Sequence, residues 1–109
     1  MSSFEGVSFH AQQAAEKALK ALLIQHQVEF DRMHNLEALL RLAEPVAPGI
    51  STDLAGAPWL TPFAVTARYP GAEPVDRDHA ASHLALGRAV VEAVARRLRA
   101  NLAEGSERS

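Results

Sequence analysis

The sequence predicts an all-α fold: a small antiparallel up-and-down helical bundle, one domain over residues 1–109 with ends frayed at about 1–3 and 104–109. Three observations carry this. Residues 9–27 contain no proline or glycine and place Ala11, Ala15, Ala18, Leu19, Leu22, Leu23 and His26 at steps of three and four, which is one helical face. A second long helical period follows Pro74 and ends near residue 103. Aromatic residues make up only 6% of the chain and alanine is abundant, a balance that favours helix over sheet.

The first helix is expected over about residues 4–28, capped by Ser2 or Ser3 and weakened at Gly6. His10, Gln13, Lys17, Lys20 and Gln27 form its polar stripe. The first half of its apolar face is nearly all alanine, so a neighbouring backbone can approach closely there. After a connector at Val28–Arg32, Asn35 caps a second helix from Leu36 to Glu44. Leu36, Leu39, Leu40 and Ala43 give that helix one apolar face, and Pro45 and Pro48 stop it.

Residues 49–75 hold three glycines and four of the six prolines, so a long helix is not expected there. Ser51 or Thr52 can cap a short turn through Leu54, and Pro58 suits the first turn of a second short helix. Trp59, Phe63 and Tyr69 read as plugs between the long helices, since large aromatics dominate core burial. Asp76 caps the last helix, whose expected face is Ala80, Leu84, Val91, Val94, Leu98 and Leu102. Arg96, Arg97 and Arg99 complement its C-terminal dipole, and Gly105 is the expected stop.

Composition narrows the function. The net charge of −2 does not predict bulk attraction to nucleic acid, so any such site must be a local basic patch. Without cysteine there are no disulfides and no thiolate metal sites. No apolar run reaches the roughly 20 residues that cross a bilayer, and residues 1–5 lack a signal-peptide pattern. A cytoplasmic protein that makes no membrane contact is expected. So small a core leaves little net stability, which makes a homodimer the expected state, and the alanine face suits either a bundle neighbour or a second copy.

Three side-chain groups could carry chemistry. Among His10, Glu16, Lys17, Lys20, His26 and His34 the His-x₃-His and His-Glu-x-x-His spacings are absent, so neither metal nor cofactor is expected. Glu16 and Lys20 read as a solvated i,i+4 ion pair. Arg68 and Tyr69, ahead of Pro70-Gly71, could grip a phosphate and stack a base. Arg77 and His83 could together cleave RNA, the histidine moving the 2′-hydroxyl proton and the arginine stabilising the phosphorane. No phosphate-cradling glycine loop is present.

Three pieces, in order, resemble the HEPN domain family (higher eukaryotes and prokaryotes nucleotide-binding). They are Phe9-His10-Ala11-Gln12-Gln13-Ala14-Ala15-Glu16-Lys17-Ala18-Leu19-Lys20-Ala21-Leu22-Leu23, then His34-Asn35-Leu36 with Leu39, then Thr66-Ala67-Arg68-Tyr69-Pro70-Gly71. The last is close to the family's Thr-Arg-Tyr-Pro-Asp. With the closing helix they cover about residues 8–100. The resemblance implies an α-helical bundle that usually dimerises, and a minimal nucleotidyltransferase as partner in a toxin–antitoxin-like module. Many family members are ribonucleases with an Arg-x₄₋₆-His motif, which only Arg77 and His83 match here; others bind nucleotides or act as scaffolds. The family normally has a further helix before the first piece. Only eight residues precede it here, so that wall is expected to be missing or shortened. On the matching positions, Lys17, Lys20, His34, Arg68 and Tyr69 are expected to line a nucleotide- or RNA-binding cleft.

Overall fold

Helix α1 runs from Ser3 to Gln25, α2 from Leu36 to Ala43, α3 from Ile50 to Asp53, a 3-10 helix from Ala57 to Phe63, and α4 from Arg77 to Arg108. A computed structural model describes residues 3–63 and 75–108, with side chains at 4–63 and 75–103. Arg68 and Tyr69 lie outside the described residues. No strand occurs among the described residues, and no described helix is long and apolar enough to cross a membrane.

Helix α1 begins at Ser3, so the residues before the Phe9 piece form its first turns rather than a separate lead-in. It ends in a Schellman motif: the Val28 N–H donates to the Leu23 carbonyl (2.9 Å) and the Gln27 N–H to that of Ile24 (3.0 Å). This closure needs a left-handed residue, and Gln27 supplies it at φ 56°. A side chain in that conformation costs about 1 kcal/mol. Gln27→Gly is therefore expected to raise stability by about 0.5–1 kcal/mol. Thermal unfolding checks this, and a lower midpoint would count against it.

Asn35 caps α2 as expected, its Oδ1 accepting from the Ala38 N–H at 3.2 Å. At α3 the cap differs. Gly49, at φ 91°, occupies the N-cap position, and Ser51 and Thr52 lie inside the helix. The Glu44 carboxylate takes the capping role from a distance, accepting from the Gly49 N–H at 3.0 Å.

The long helices α1 and α4 run parallel. Ser8 meets His83, Ala11 meets Gly87 and Gln25 meets Asn101, a steady offset. The segment between them makes the antiparallel pass. Asp53 reaches Arg97 (3.1 Å), Gly56 lies against Leu86, and Phe63 packs on His83, so the chain descends α4 toward its start. Arg97 thus serves an ion pair to α3 besides any dipole effect.

The core joins Leu19, Leu22 and Leu23 of α1 to Leu36, Leu39 and Leu40 of α2, Ile50, Leu60, and Val90 and Val94 of α4. A smaller cluster of Phe63, Val75 and Ala80, backed by Phe4 and Val7, closes the other end. Several expectations are corrected here. Trp59 is 76% exposed and plugs nothing; the 3-10 helix turns Leu60 and Phe63 inward instead. In α4 the buried line is Ala80, Gly87, Val90, Ala93 and Val94, while Leu84, Val91 and Leu102 stand out at the surface. The alanine face of α1 explains the rotation, because a close helix crossing admits only small residues. That face is already covered by the chain's own α4: Ala15 is fully buried and Ala11 nearly so. It is not left open for a second copy. Gly105 does not stop α4, which continues to Arg108; a glycine ends a helix only where the next residues reward a reversal.

Candidate functional site

The polar side of α1 carries a line that helical spacing alone assigns to the interior. Ser8, Gln12 and Glu16 repeat every four residues beside Ala15 and Leu19, and all three are buried. Glu16 is the hub, at 5% exposure. Its Oε1 accepts from His34 Nδ1 at 2.9 Å and from Gln12 Nε2 at 3.2 Å, while Oε2 lies 3.5 Å from Lys20 Nζ. Gln12 Oε1 in turn accepts from Gln13 Nε2 at 3.0 Å. Lys20 also sits 5.6 Å from the centre of the Phe30 ring. The connector between α1 and α2 is thereby fastened to α1 by two side chains, His34 and Phe30.

Burial alone would raise the Glu16 carboxyl. The hydrogen bonds from His34 and Gln12 and the positive charge of Lys20 outweigh it and hold the group below its ordinary value of 4.5. An ionised carboxylate only accepts, so Nδ1 of His34 is the donor to Glu16. The imidazole is 65% exposed, so a carboxylate-oriented histidine stands at the surface beside an ammonium group. Such a pairing can orient a ligand or move a proton next to a phosphate. The expected solvated Glu16–Lys20 pair is thus the edge of a buried network. Lys17 is exposed one turn from Lys20. Of the five expected binding residues, the structure brings Lys20 and His34 together on Glu16, with Lys17 adjacent on the same helix.

A second cluster sits where α4 begins. The side chain of His83 is half-buried, with Nδ1 2.7 Å from Ser8 Oγ and its ring 4.4 Å from that of Phe63. One turn earlier His79 stacks on it at 6.5 Å between ring centres, and its Nδ1 lies 2.9 Å from Asp76 Oδ1. The backbone N–H of His79 donates to the same Asp76 oxygen and holds that exposed carboxyl below its usual range. Arg77 is exposed in the first turn of α4. Five residues separate it from His83, a step of six positions that on a helix is about 120° and about 9 Å, so the two side chains leave α4 in different directions. The pair His79 and His83 has the His-x₃-His spacing that His10, His26 and His34 lack. Among the described residues, no three His, Cys, Asp or Glu side chains gather as a metal-binding group.

Sequence reasoning missed Ser8, Gln12 and the hub role of Glu16. The available signal was their shared register with Ala15 and Leu19, since polar residues inside an apolar stripe must be partnered.

No curated protein and no solved structure matches the chain. A family model, the HEPN domain, matches residues 1–98, spanning α1, the Glu16 network, the 3-10 helix and most of α4. With an all-α bundle and nine-tenths of the chain inside that match, the protein belongs to the HEPN domain family, and a nucleotide- or RNA-related role in general comes with membership.

Proposed function

We propose that the protein binds a nucleotide or RNA at the polar side of α1 and acts in the cytoplasm with a minimal nucleotidyltransferase partner, as in a toxin–antitoxin-like module. The observation that supports this reading is the convergence of Lys20 and His34 on the buried Glu16. Lys20 and Arg68 hold the phosphate, Lys17 adds charge, and Tyr69 stacks the base. His34 orients the ligand or transfers a proton through Nε2. Because Lys20 and His34 face Glu16, its negative charge is offset before a phosphate arrives.

Titrating ATP and a short RNA against the wild type, Lys20→Ala and Arg68→Ala tests the reading. Each variant is expected to bind about tenfold more weakly, the worth of one charge-assisted hydrogen bond. Equal binding by all three proteins removes the site. If the nucleotidyltransferase co-purifies while no nucleotide or RNA binds, the protein is a non-catalytic partner subunit.

A second reading is a metal-independent ribonuclease using Arg77 and His83. It is favoured by the fixed imidazole of His83 between Ser8 and Phe63. Cleavage by clean wild-type protein that disappears in His83→Ala is the expected result. A wild type inert toward RNA, with and without added metal, ends this reading.

A further inference from the structure

His79 and His83 are four positions apart on α4, so both imidazoles leave the same side of the helix, one turn apart. Their rings lie 6.5 Å apart between centres and within 28° of parallel. Each ring has an oxygen at Nδ1. His79 Nδ1 lies 2.9 Å from Asp76 Oδ1, and His83 Nδ1 lies 2.7 Å from Ser8 Oγ. An ionised carboxylate only accepts, so the neutral His79 ring keeps its proton on Nδ1 and its lone pair on Nε2. The Ser8 hydroxyl can accept or donate, so it suits the same tautomer of His83. Phe63, 4.4 Å away between ring centres, packs on the His83 ring.

Imidazoles that bind metal through one nitrogen are oriented by a hydrogen-bonding partner on the other. The geometry points to a metal site: His79 and His83 bind a divalent late transition-metal ion, Zn²⁺ or Cu²⁺, through their Nε2 atoms, with Asp76 and Ser8 orienting the two rings. The donors select this class of ion. Neutral imidazole suits zinc and copper, whereas magnesium and calcium take oxygen ligands. Among the described residues no third His, Cys, Asp or Glu completes a metal-binding group, so water fills the remaining positions and the ion exchanges readily. Two metal–nitrogen bonds of about 2 Å span about 4 Å at most. Rings 6.5 Å apart meet that span when their Nε2 corners tip toward each other, and the His79 side chain, 69% exposed, has room to do so. A hydrogen bond at Nε2 of His83 does not prevent binding, because an ion that displaces it supplies a coordinate bond in return. The site uses no member of the Glu16 network and is independent of the nucleotide reading. It shares His83 with the ribonuclease reading, where a bound ion would occupy the proton-moving imidazole and block cleavage.

Isothermal titration calorimetry with ZnCl₂ and with CuCl₂, in the absence of RNA, tests the site. The wild type is expected to bind one ion, Cu²⁺ more tightly than Zn²⁺. Electron paramagnetic resonance of the Cu²⁺ protein is expected to show coupling to two imidazole nitrogens. Asp76→Asn keeps a residue suited to the helix cap and removes the charge behind His79, so its affinity is expected to fall about tenfold. His79→Ala removes a ligand and is expected to lose more than that. His79 is exposed, so circular dichroism should report unchanged helix content in this variant. His10→Ala, at an exposed position on α1, is expected to bind as the wild type does. A wild type that binds neither ion overturns the proposal. Wild-type affinity in His79→Ala or Asp76→Asn, or loss of binding in His10→Ala, overturns it as well.

Discussion

Glu16→Ala is expected to lower the stability of the fold by about 2 kcal/mol, which for a chain of this length is a drop of about 10 °C in melting temperature. Three donors lose their acceptor at once: Gln12, His34 and Lys20. Their burial sets the size of the loss. Lys20 and His34 reach solvent and recover hydration, so the full cost of a stranded buried charge is not incurred. Gln12 is fully buried and keeps only its contact with Gln13. The value therefore falls between that of a surface pair and that of a broken buried pair. The connector should loosen too, because His34 is one of its fastenings to α1. Hydrogen exchange at residues 28–34 would report this separately from global unfolding.

The same network gives a pH dependence of definite sign. The folded-state carboxyl of Glu16 titrates below its ordinary value of 4.5. The unfolded chain therefore binds the proton first as pH falls. The contribution of Glu16 is complete above that ordinary value and is lost as pH falls through the lowered one. Glu16→Gln keeps the shape and an acceptor for His34 but cannot titrate. The stability gap between wild type and Glu16→Gln is thus expected to narrow between neutral pH and about pH 3. A gap of constant size across that range would rule out the ionised hub.

Gly87→Ala is expected to destabilise the protein although alanine is the better helix former. A Cβ at Gly87 would stand 2.9 Å from the Ala11 carbonyl oxygen, 3.0 Å from its Cβ and 3.1 Å from its Cα. Two of these three atoms are backbone, so no rotamer change relieves the contact. The helices must separate, and separation loosens Ala15 against Val90 and Val94 in the core. Helix propensity returns about 1 kcal/mol, while overpacking a close-packed site costs about 1–3 kcal/mol. With rigid backbone as the obstacle the upper end applies, leaving a net loss of about 1–2 kcal/mol. Gly87→Leu should cost about 3 kcal/mol, about twice the alanine effect. Urea denaturation measures both; a higher midpoint for Gly87→Ala would mean that the crossing has slack.

Much of the architecture was legible because it rests on local rules. Proline-free periodicity marked α1, and its expected end near residue 28 agrees with the Gln27 closure to within a few residues. Asn35 and Asp76 were readable as caps because a short side-chain oxygen meets its own helix within three residues. Leu36, Leu39, Leu40 and Ala43 were readable as a core face because a short helix against one neighbour has only one inward side. The face of α4 was not readable in the same way. Its sequence offers two apolar stripes, and only the depth available at Ala11 and Ala15 selects the one that carries Gly87, Val90 and Val94.

For the candidate site, Lys20 and His34 were expected in one cleft as chemically capable side chains, but their meeting on a buried Glu16 was not. They belong to different elements, and a contact between residues so far apart along the chain depends on how the connector folds back. Glu16 was visible only as the partner of Lys20 one turn away, a pairing that local spacing makes cheap and that usually faces water. Its burial follows from the position of α2 and the connector. The meeting of Ser8 with His83 likewise required the parallel alignment of α1 with α4.

By itself, then, the sequence determined which segments are helical, where α2 is capped and stopped, and the resemblance that placed the chain in its family. These are properties of neighbours along the chain, set by propensity, capping and period. Tertiary structure alone decided that Trp59 faces outward, that the alanine face is spent on the chain's own α4, and that Glu16 is a buried hub rather than half of a surface pair. It also set Ser8 and Phe63 against His83 at the start of α4. Each of these depends on which helices share a surface and how closely they approach, and that distance is set by residues far apart in sequence.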